Sequence, residues 1–315
     1  MIISEEKQLA NVEKMISAVV MGLCLMTMES SYSQEFNLSC EGNKFRKLTD
    51  TQDIEAGARF SPKGNRIAFH SGQQGNRGVF TMDLDTMSIS KLVDSEHDEA
   101  YPAWSPDGRY ITYTSDQSGQ FEIWKTPIEK YDPVQVTFTP KGALFSDWSP
   151  DGALIAYTRL TKDSEPPYSS EEGHIWVSTS NGRSPIWVTR RGGEWYPRWS
   201  ADGSRILHYG NGGVWYVDLS NFEYRFILSS GDGFRPNWSP TDDWIVFSRT
   251  PGDHSGNQDL WLTSAKGGVH QAFNLTPGES VDDWAEFSPD GKRIVFTKIE
   301  DGNTNIWLLE LGNCQ

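Results

Sequence analysis

Cysteine, histidine and positive charge are in short supply. The chain has 3 cysteines and 6 histidines in 315 residues, and 28 basic residues against 43 acidic ones. A formal net charge of −15 with no basic stripe repels phosphate backbones and argues against nucleic-acid binding. The histidines, at 70, 97, 174, 208, 254 and 270, never fall at metal-ligand spacing, so no metal centre is predicted. Several catalytic signatures are missing: there is no Gly-x-Ser-x-Gly elbow, no phosphate loop and no His-Glu-x-x-His. Asp253-His254-Ser255 names the residues of a hydrolase triad, but three neighbours in one loop do not provide triad geometry. No cofactor is implied. Glycine-acidic loops such as "IEDGNTN" (299–305) are candidates for calcium, though Asp-Gly reads first as a turn.

Long hydrophobic runs are also lacking. The longest, "MISAVVMGLCLMTM" (15–28), is too short for a comfortable membrane span but suits the core of a signal peptide. Ser31 and Ser33 supply the small residues a cleavage site needs, so residues 1–33 read as a signal peptide and 34–43 as a short leader. The acidic Glu5, Glu6 and Glu13 fit a signal poorly, and a start at Met15 removes the misfit. The expectation is a periplasmic or secreted monomer without a stable membrane span.

What is abundant is one phrase. "FSPKGNRIAF" (60–69), "WSPDGRYITY" (104–113), "WSPDGALIAY" (148–157), "WSADGSRILHY" (199–209), "WSPTDDWIVF" (238–247) and "FSPDGKRIVF" (287–296) recur at a mean step of about 45 residues. Pro presets φ at the second turn position, Asp bonds the local backbone, and Gly accepts the left-handed angle that closes the turn. Each phrase is therefore a tight hairpin between two strands, a and b. In "SPTDDW" the glycine is missing, so Asp242 or Asp243 must take the left-handed angle. A third strand follows each phrase, marked by a repeated position that holds Trp124, Trp176, Trp215, Trp261 and Trp307, expected in the core. A short fourth strand often ends in Thr. The fold class is all-β: a six-bladed β-propeller of four-stranded antiparallel blades over residues 44–312.

Six a-b-c units occur, but the last lacks its own strand d. "FRKLTD" (45–50) has the missing ending and stands before the first strand a. Strand 45–49 is thus expected to pair with strand 305–311 and close the ring, leaving no open edge. Closure brings Cys40 and Cys314 to where the last c–d hairpin would be, which predicts a disulfide between them.

The phrase "WSPDG…IAF…IW" resembles the propeller repeat of the TolB-like family over about residues 44 to 311. Propellers attached to prolyl-oligopeptidase-type and tricorn-type peptidases, and oligogalacturonide lyases, resemble it too. The family likeness implies a role in binding a partner's peptide at the mouth of the propeller. It is a likeness to the family rather than to TolB itself, which carries a small α/β domain ahead of its propeller. The peptidases' catalytic domain has no counterpart here.

In a propeller the b–c and d–a connections share one face, and length variation here collects in b–c, at 159–173 and 249–258. The d–a segments carry aromatics, so Tyr101, Phe145, Trp195, Tyr196, Phe234 and Trp284 are expected to ring that mouth. Arg59, Asp147, Arg198, Arg235 and Asn237 should lie beside them, with Asp282, Asp283 and Glu286. Aromatics mixed with charges on a rigid scaffold make a recognition surface for a protein, peptide or glycan. The alternatives are a polysaccharide lyase or hydrolase using carboxylates and arginines in the same funnel, and a subunit of an envelope complex.

Overall fold

The structure of the protein is a computed structural model, and it describes residues 40–73, 76–161, 173–229, 233–250, 257–266 and 272–314. The apolar run at 15–28, the expected cleavage site, Asp253-His254-Ser255 and most of the two long b–c segments lie outside the described residues.

The repeated phrase folds as its chemistry requires. In "WSPDGRY" the Ser105 amide donates to the Tyr110 carbonyl and the Gly108 amide to the Ser105 carbonyl, both at 2.9 Å. The Ser105 hydroxyl donates to Asp107 Oδ1 at 2.6 Å and accepts the Tyr110 amide at 2.9 Å. Gly108 closes the turn at φ +69°. The same stitching recurs around Ser149, Ser200 and Ser288. In the fifth copy Asp242, not Asp243, takes the left-handed angle, with φ 59°.

These hairpins build six four-stranded antiparallel sheets, and the described residues contain no helix. The innermost strands a are Ile54–Phe60, Glu99–Trp104, Ala143–Trp148, Trp195–Trp199, Gly233–Trp238 and Val281–Phe287. Each runs from the d–a side of the ring to the Ser-Pro turn side. Apolar clusters lie between neighbouring blades: Ala68, Val79 and Val93 of blade 1 pack with Trp104, Ile111 and Tyr113 of blade 2. The aromatic residue before each of the six serines, Trp in four blades and Phe60 and Phe287 in the other two, is the plate between sheets, and several of the tryptophans also hydrogen-bond across. Trp104 Nε1 donates to the Arg59 carbonyl at 3.1 Å, and Trp238 Nε1 to the Arg198 carbonyl at 3.3 Å.

The strand-c tryptophans are less buried than expected. Trp124, Trp176, Trp215, Trp261 and Trp307 are half-buried. Strand c lies third from the axis beside a short strand d, so part of each indole stays reachable. Cations cover several of these rings, with Arg159 4.4 Å from the Trp176 centroid and Arg191 4.8 Å from that of Trp215.

Ring closure follows the expectation. Lys44–Lys47 pairs with Asn303–Glu310 in antiparallel register, Lys44 opposite Glu310 and Lys47 opposite Trp307. The Leu48 amide donates to the Ile306 carbonyl, and the Ile306 amide to Thr49 Oγ1, both at 2.9 Å. The strand itself is exposed, but Leu48 and Thr49 behind it are buried, so the ladder is anchored in the core between blades 6 and 1. The loop "IEDGNTN" is a two-residue turn: Glu300 pairs with Asn303, and Asp301 and Gly302 have φ 53° and 78°.

A further ribbon pairs Cys40–Glu41 with Asn313–Cys314 and sets Cys40 directly opposite Cys314. Antiparallel partners have Cα atoms ~4.5–5.5 Å apart, within the ~4.4–6.8 Å that a disulfide spans. The expected bridge is tested by peptide mapping of air-oxidised protein without reductant, which should recover a fragment joined through Cys40 and Cys314. Cys40→Ser should then lose roughly 2–4 kcal/mol in denaturant unfolding. Separate thiol-bearing fragments would refute the bridge.

Candidate functional site

The axis owes its character to one position. Four residues before each Ser-Pro serine, strand a skips register against strand b and carries a β-bulge. The residues there are Gly57, Tyr101, Phe145, Tyr196, Arg235 and Trp284, and all six have φ between 53° and 65°. Only the glycine adopts that angle without strain. Each of the other five costs about 1–3 kcal/mol of backbone energy.

The four aromatics meet at the axis. Phe145 and Tyr196 have ring centroids 4.4 Å apart, Tyr101 and Phe145 4.6 Å, and Tyr101 stacks on Trp284 at 5.0 Å and 24°. The Arg235 guanidinium lies 4.3 Å from the Trp284 centroid and 5.1 Å from that of Tyr196. It pairs with Asp283, whose other oxygen accepts the Ser248 hydroxyl at 2.7 Å. Burial pushes the Tyr196 phenol up. The mouth is therefore filled by an aromatic plug rather than ringed around an opening. Tyr101, Tyr196, Trp284 and Arg235 are half-buried, while Phe145 is buried among them.

Gly57 explains how the plug closes. Blades 2 and 6 flank blade 1, and the missing side chain lets Tyr101 and Trp284 stack across its place. Behind it stands His70, whose ring would lie 3.0 Å from a Cβ added at Gly57. His70 Nδ1 accepts the Tyr101 amide at 3.4 Å. Burial and then the Arg77 charge lower the His70 pKa to about 3, so the imidazole is neutral. Arg77 makes three bonds to Asp98, from its backbone amide at 3.0 Å, from Nε to Oδ1 at 2.8 Å and from Nη2 to Oδ2, and its guanidinium lies 5.6 Å from the Tyr101 centroid. Burial pushes the Asp98 carboxyl up, but the hydrogen bonds and charge of Arg77 outweigh it and leave it below the ordinary range.

Five residues expected beside the mouth lie elsewhere on the axis. Arg59, Asp147, Arg198, Asn237 and Glu286 stand two positions beyond the bulge. At ~3.3 Å per residue this moves them toward the Ser-Pro turns. They form a charged ring beneath the plug. A cavity of about 20 Å³, enough for about one water, lies between plug and ring. On the other side a vestibule of about 250 Å³ opens among the turns.

Three more residues are not at the mouth. Trp195 is 6% exposed and packs beside Phe145 and Leu160. Phe234 lies against Tyr209 at 5.1 Å. Each stands one position before the bulge, where the side chain turns away from the axis. Asp282 is buried at the joint of blades 5 and 6, where burial raises its pKa and Thr276 and Ser280 hydrogen-bond it. Glu55 is held in the same way by Thr49 and Thr51 at the joint of blades 6 and 1. These acids bind strand a to the Thr that ends the preceding strand d. Among the described residues no group of three His, Cys, Asp or Glu side chains could hold a metal ion.

The TolB beta propeller domain family matches residues 20–188. A TolB homolog of Chlorobium luteolum is 29% identical over 123 residues, covering 38% of this chain and 27% of that protein's length. Among solved structures, an Agrobacterium tumefaciens protein assigned as TolB superposes with a TM-score of 0.63 at 20% identity, over 74% of this chain and 85% of its own. An oligogalacturonate lyase of Vibrio parahaemolyticus superposes with a TM-score of 0.57 at 12% identity, over 87% of this chain and 95% of its own. At these identities the superpositions show the fold alone.

Gly57→Ala should cost roughly 1–3 kcal/mol, because it forces an alanine to positive φ and presses its Cβ on His70. In a His70→Ala background the same change should cost less. Urea unfolding of the four variants measures the coupling, and equal costs in both backgrounds would refute the contact with His70 as the cause.

Proposed function

Because the chain belongs to the TolB beta propeller domain family, we propose that it is an exported, non-catalytic module that holds a partner at the plug. The partner is a protein, peptide or glycan of the cell envelope or outside it. The observation that carries this reading is the row of five left-handed, non-glycine residues converging on one mouth. A glycine at each would relieve the backbone, as Gly57 does in blade 1, yet the chain keeps large side chains there. Their half-exposed faces offer a rigid aromatic platform at small entropic cost on binding, and Arg235 and the Arg77–Asp98 pair frame it with fixed polar groups.

The carboxylates speak for binding rather than hydrolysis. Asp147 and Glu286 are tied to Arg59 beneath the plug, Asp283 to Arg235, Asp98 to Arg77, and Asp282 is buried between blades. A lyase or hydrolase needs a free acid and base within reach of substrate. Among the described residues, Asp98, Asp147, Asp283 and Glu286 on the axis are each held by an arginine.

Export rests on the apolar run at 15–28 and the small residues before Gln34. Among the described residues no helix is long and apolar enough to cross a membrane.

The binding face is tested by crosslinked capture from envelope extract with wild type, a Trp284→Ala, Arg235→Ala double variant and an Arg109→Ala control on the turn side. Wild type and control should recover a common partner that the double variant loses while keeping a cooperative unfolding transition. Identical recovery by all three would place the site elsewhere. N-terminal sequencing of the exported protein should begin at Gln34, and a sequence beginning at or before Met15 would refute cleavage.

A further inference from the structure

The charged ring beneath the plug does not balance locally. Arg59 passes the small Ala103 of blade 2 and reaches Asp147 Oδ1 of blade 3 at 2.6 Å. On its other side it pairs with Glu286 Oε2 of blade 6. The remaining oxygens are also taken. Asp147 Oδ2 accepts the Trp199 amide at 2.8 Å, and Glu286 Oε1 accepts the Phe60 amide at 2.9 Å. One cation thus consumes both carboxylates.

Arg198 of blade 4 is the second cation, and it is only 9% exposed. Its Nη1 donates to the Pro197 carbonyl at 3.3 Å. Its Nε donates to the Asn237 side-chain oxygen at 3.2 Å, while the Asn237 amide nitrogen donates to the Trp238 carbonyl at 2.9 Å. Both acceptors are neutral, and no carboxylate among the described residues makes an ion pair with Arg198. A guanidinium buried to this depth ordinarily has a counter-charge. Burial and then the nearby Arg59 charge pull its pKa down to about 9, against the Asp147 carboxylate, which acts on it from a distance without pairing with it, so it still carries its proton at neutral pH.

Arg198 lines the vestibule of about 250 Å³ on the turn side. Pro106, Pro150, Pro240 and Pro289 wall this space with Trp104 and Trp238. Arg59, Asp147 and Glu286 also line the floor, but they are engaged with one another, so the site pairs the planar Arg198 fork with an apolar neck. We propose that the turn-side vestibule is a second binding site, separate from the plug, for a carboxylate carried on a short apolar stem, with Arg198 as its counter-ion and Asn237 as the residue that positions the guanidinium. Planar guanidinium matches a carboxylate in two parallel bonds, and the proline and indole walls suit the stem behind it. Two sources share this chemistry: the C-terminus of a peptide and a free small organic acid.

The test is a titration of tryptophan emission and thermal midpoint with four probes at matched ionic strength: acetate, N-acetyl-Ala-Ala with a free carboxylate, the same peptide as its amide, and inorganic phosphate. Wild type should respond saturably to the free-carboxylate peptide and not to its amide. Response to acetate but not to the peptide also supports the site and assigns a free acid as its source. Arg198→Met should abolish the response. Arg198→Lys retains charge without the fork and should weaken it about tenfold, which keeps the question open to measurement where the methionine variant does not fold. Four results would overturn the proposal: equal response to acid and amide, response to phosphate alone, no response to any probe, or an unchanged response in either Arg198 variant.

Discussion

The pairing of Lys44–Lys47 with Asn303–Glu310 is the constraint on which the rest of the molecule depends. Five blades complete their sheets from consecutive chain, and the sixth must borrow its outer strand from the far end of the sequence. Without that ladder blade 6 has an open edge, and blades 6 and 1 lose the cluster that includes Leu48, Phe60, Ile306 and Leu308. A ring broken at one joint no longer fixes its axis, and every feature of functional interest here lies on the axis. The carboxylates at the starts of the inner strands make the same joint firm from within: Glu55 reaches Thr49 of the borrowed strand's own terminus.

With the ring closed, six copies of one bulge are aimed at a common point. The bulge is a repeat feature, but its occupants differ, and the differences are what give the axis its layers. Four aromatics and Arg235 fill the d–a end. Gly57 leaves the gap through which Tyr101 and Trp284 meet, and His70 stands behind it. Two residues further along, the same six strands supply an unequal set of charges. Pseudo-symmetry in the backbone therefore produces a markedly asymmetric interior. Two ends with unlike chemistry result, one aromatic and half-exposed, the other polar at its floor with apolar walls.

Much of this was legible from the chain. The blade count and the strand that closes the ring follow from the spacing of Ser-Pro and the Leu-Thr endings, whereas the Cys40–Cys314 ribbon and its register appear only in the structure. Of the residues expected at the mouth, Tyr101, Phe145, Tyr196, Arg235, Asp283 and Trp284 lie at the d–a end of the axis because they stand at or beside the bulge. Trp195 and Phe234 were misplaced by one residue, since in a strand a single step turns a side chain to the opposite face. Arg59, Asp147, Arg198, Asn237 and Glu286 were misplaced in depth. Gly57 was readable by counting four residues back from each serine. His70, Arg77 and Asp98 had no such signal, because strands b and c of blade 1 bring His70 and Arg77 to Asp98 and Tyr101 at the start of the inner strand of blade 2.

The repeating phrase by itself determined the architecture, because turn chemistry and strand alternation are local and recur six times in phase. Which acid neutralises which cation, and which ring covers which gap, was decided only when the ends of the chain met. Those choices depend on distances across the axis between residues tens to hundreds of positions apart. Arg59 reaching past Ala103 to Asp147 is such a choice, and Arg198 left without an ion pair among the described residues is its consequence.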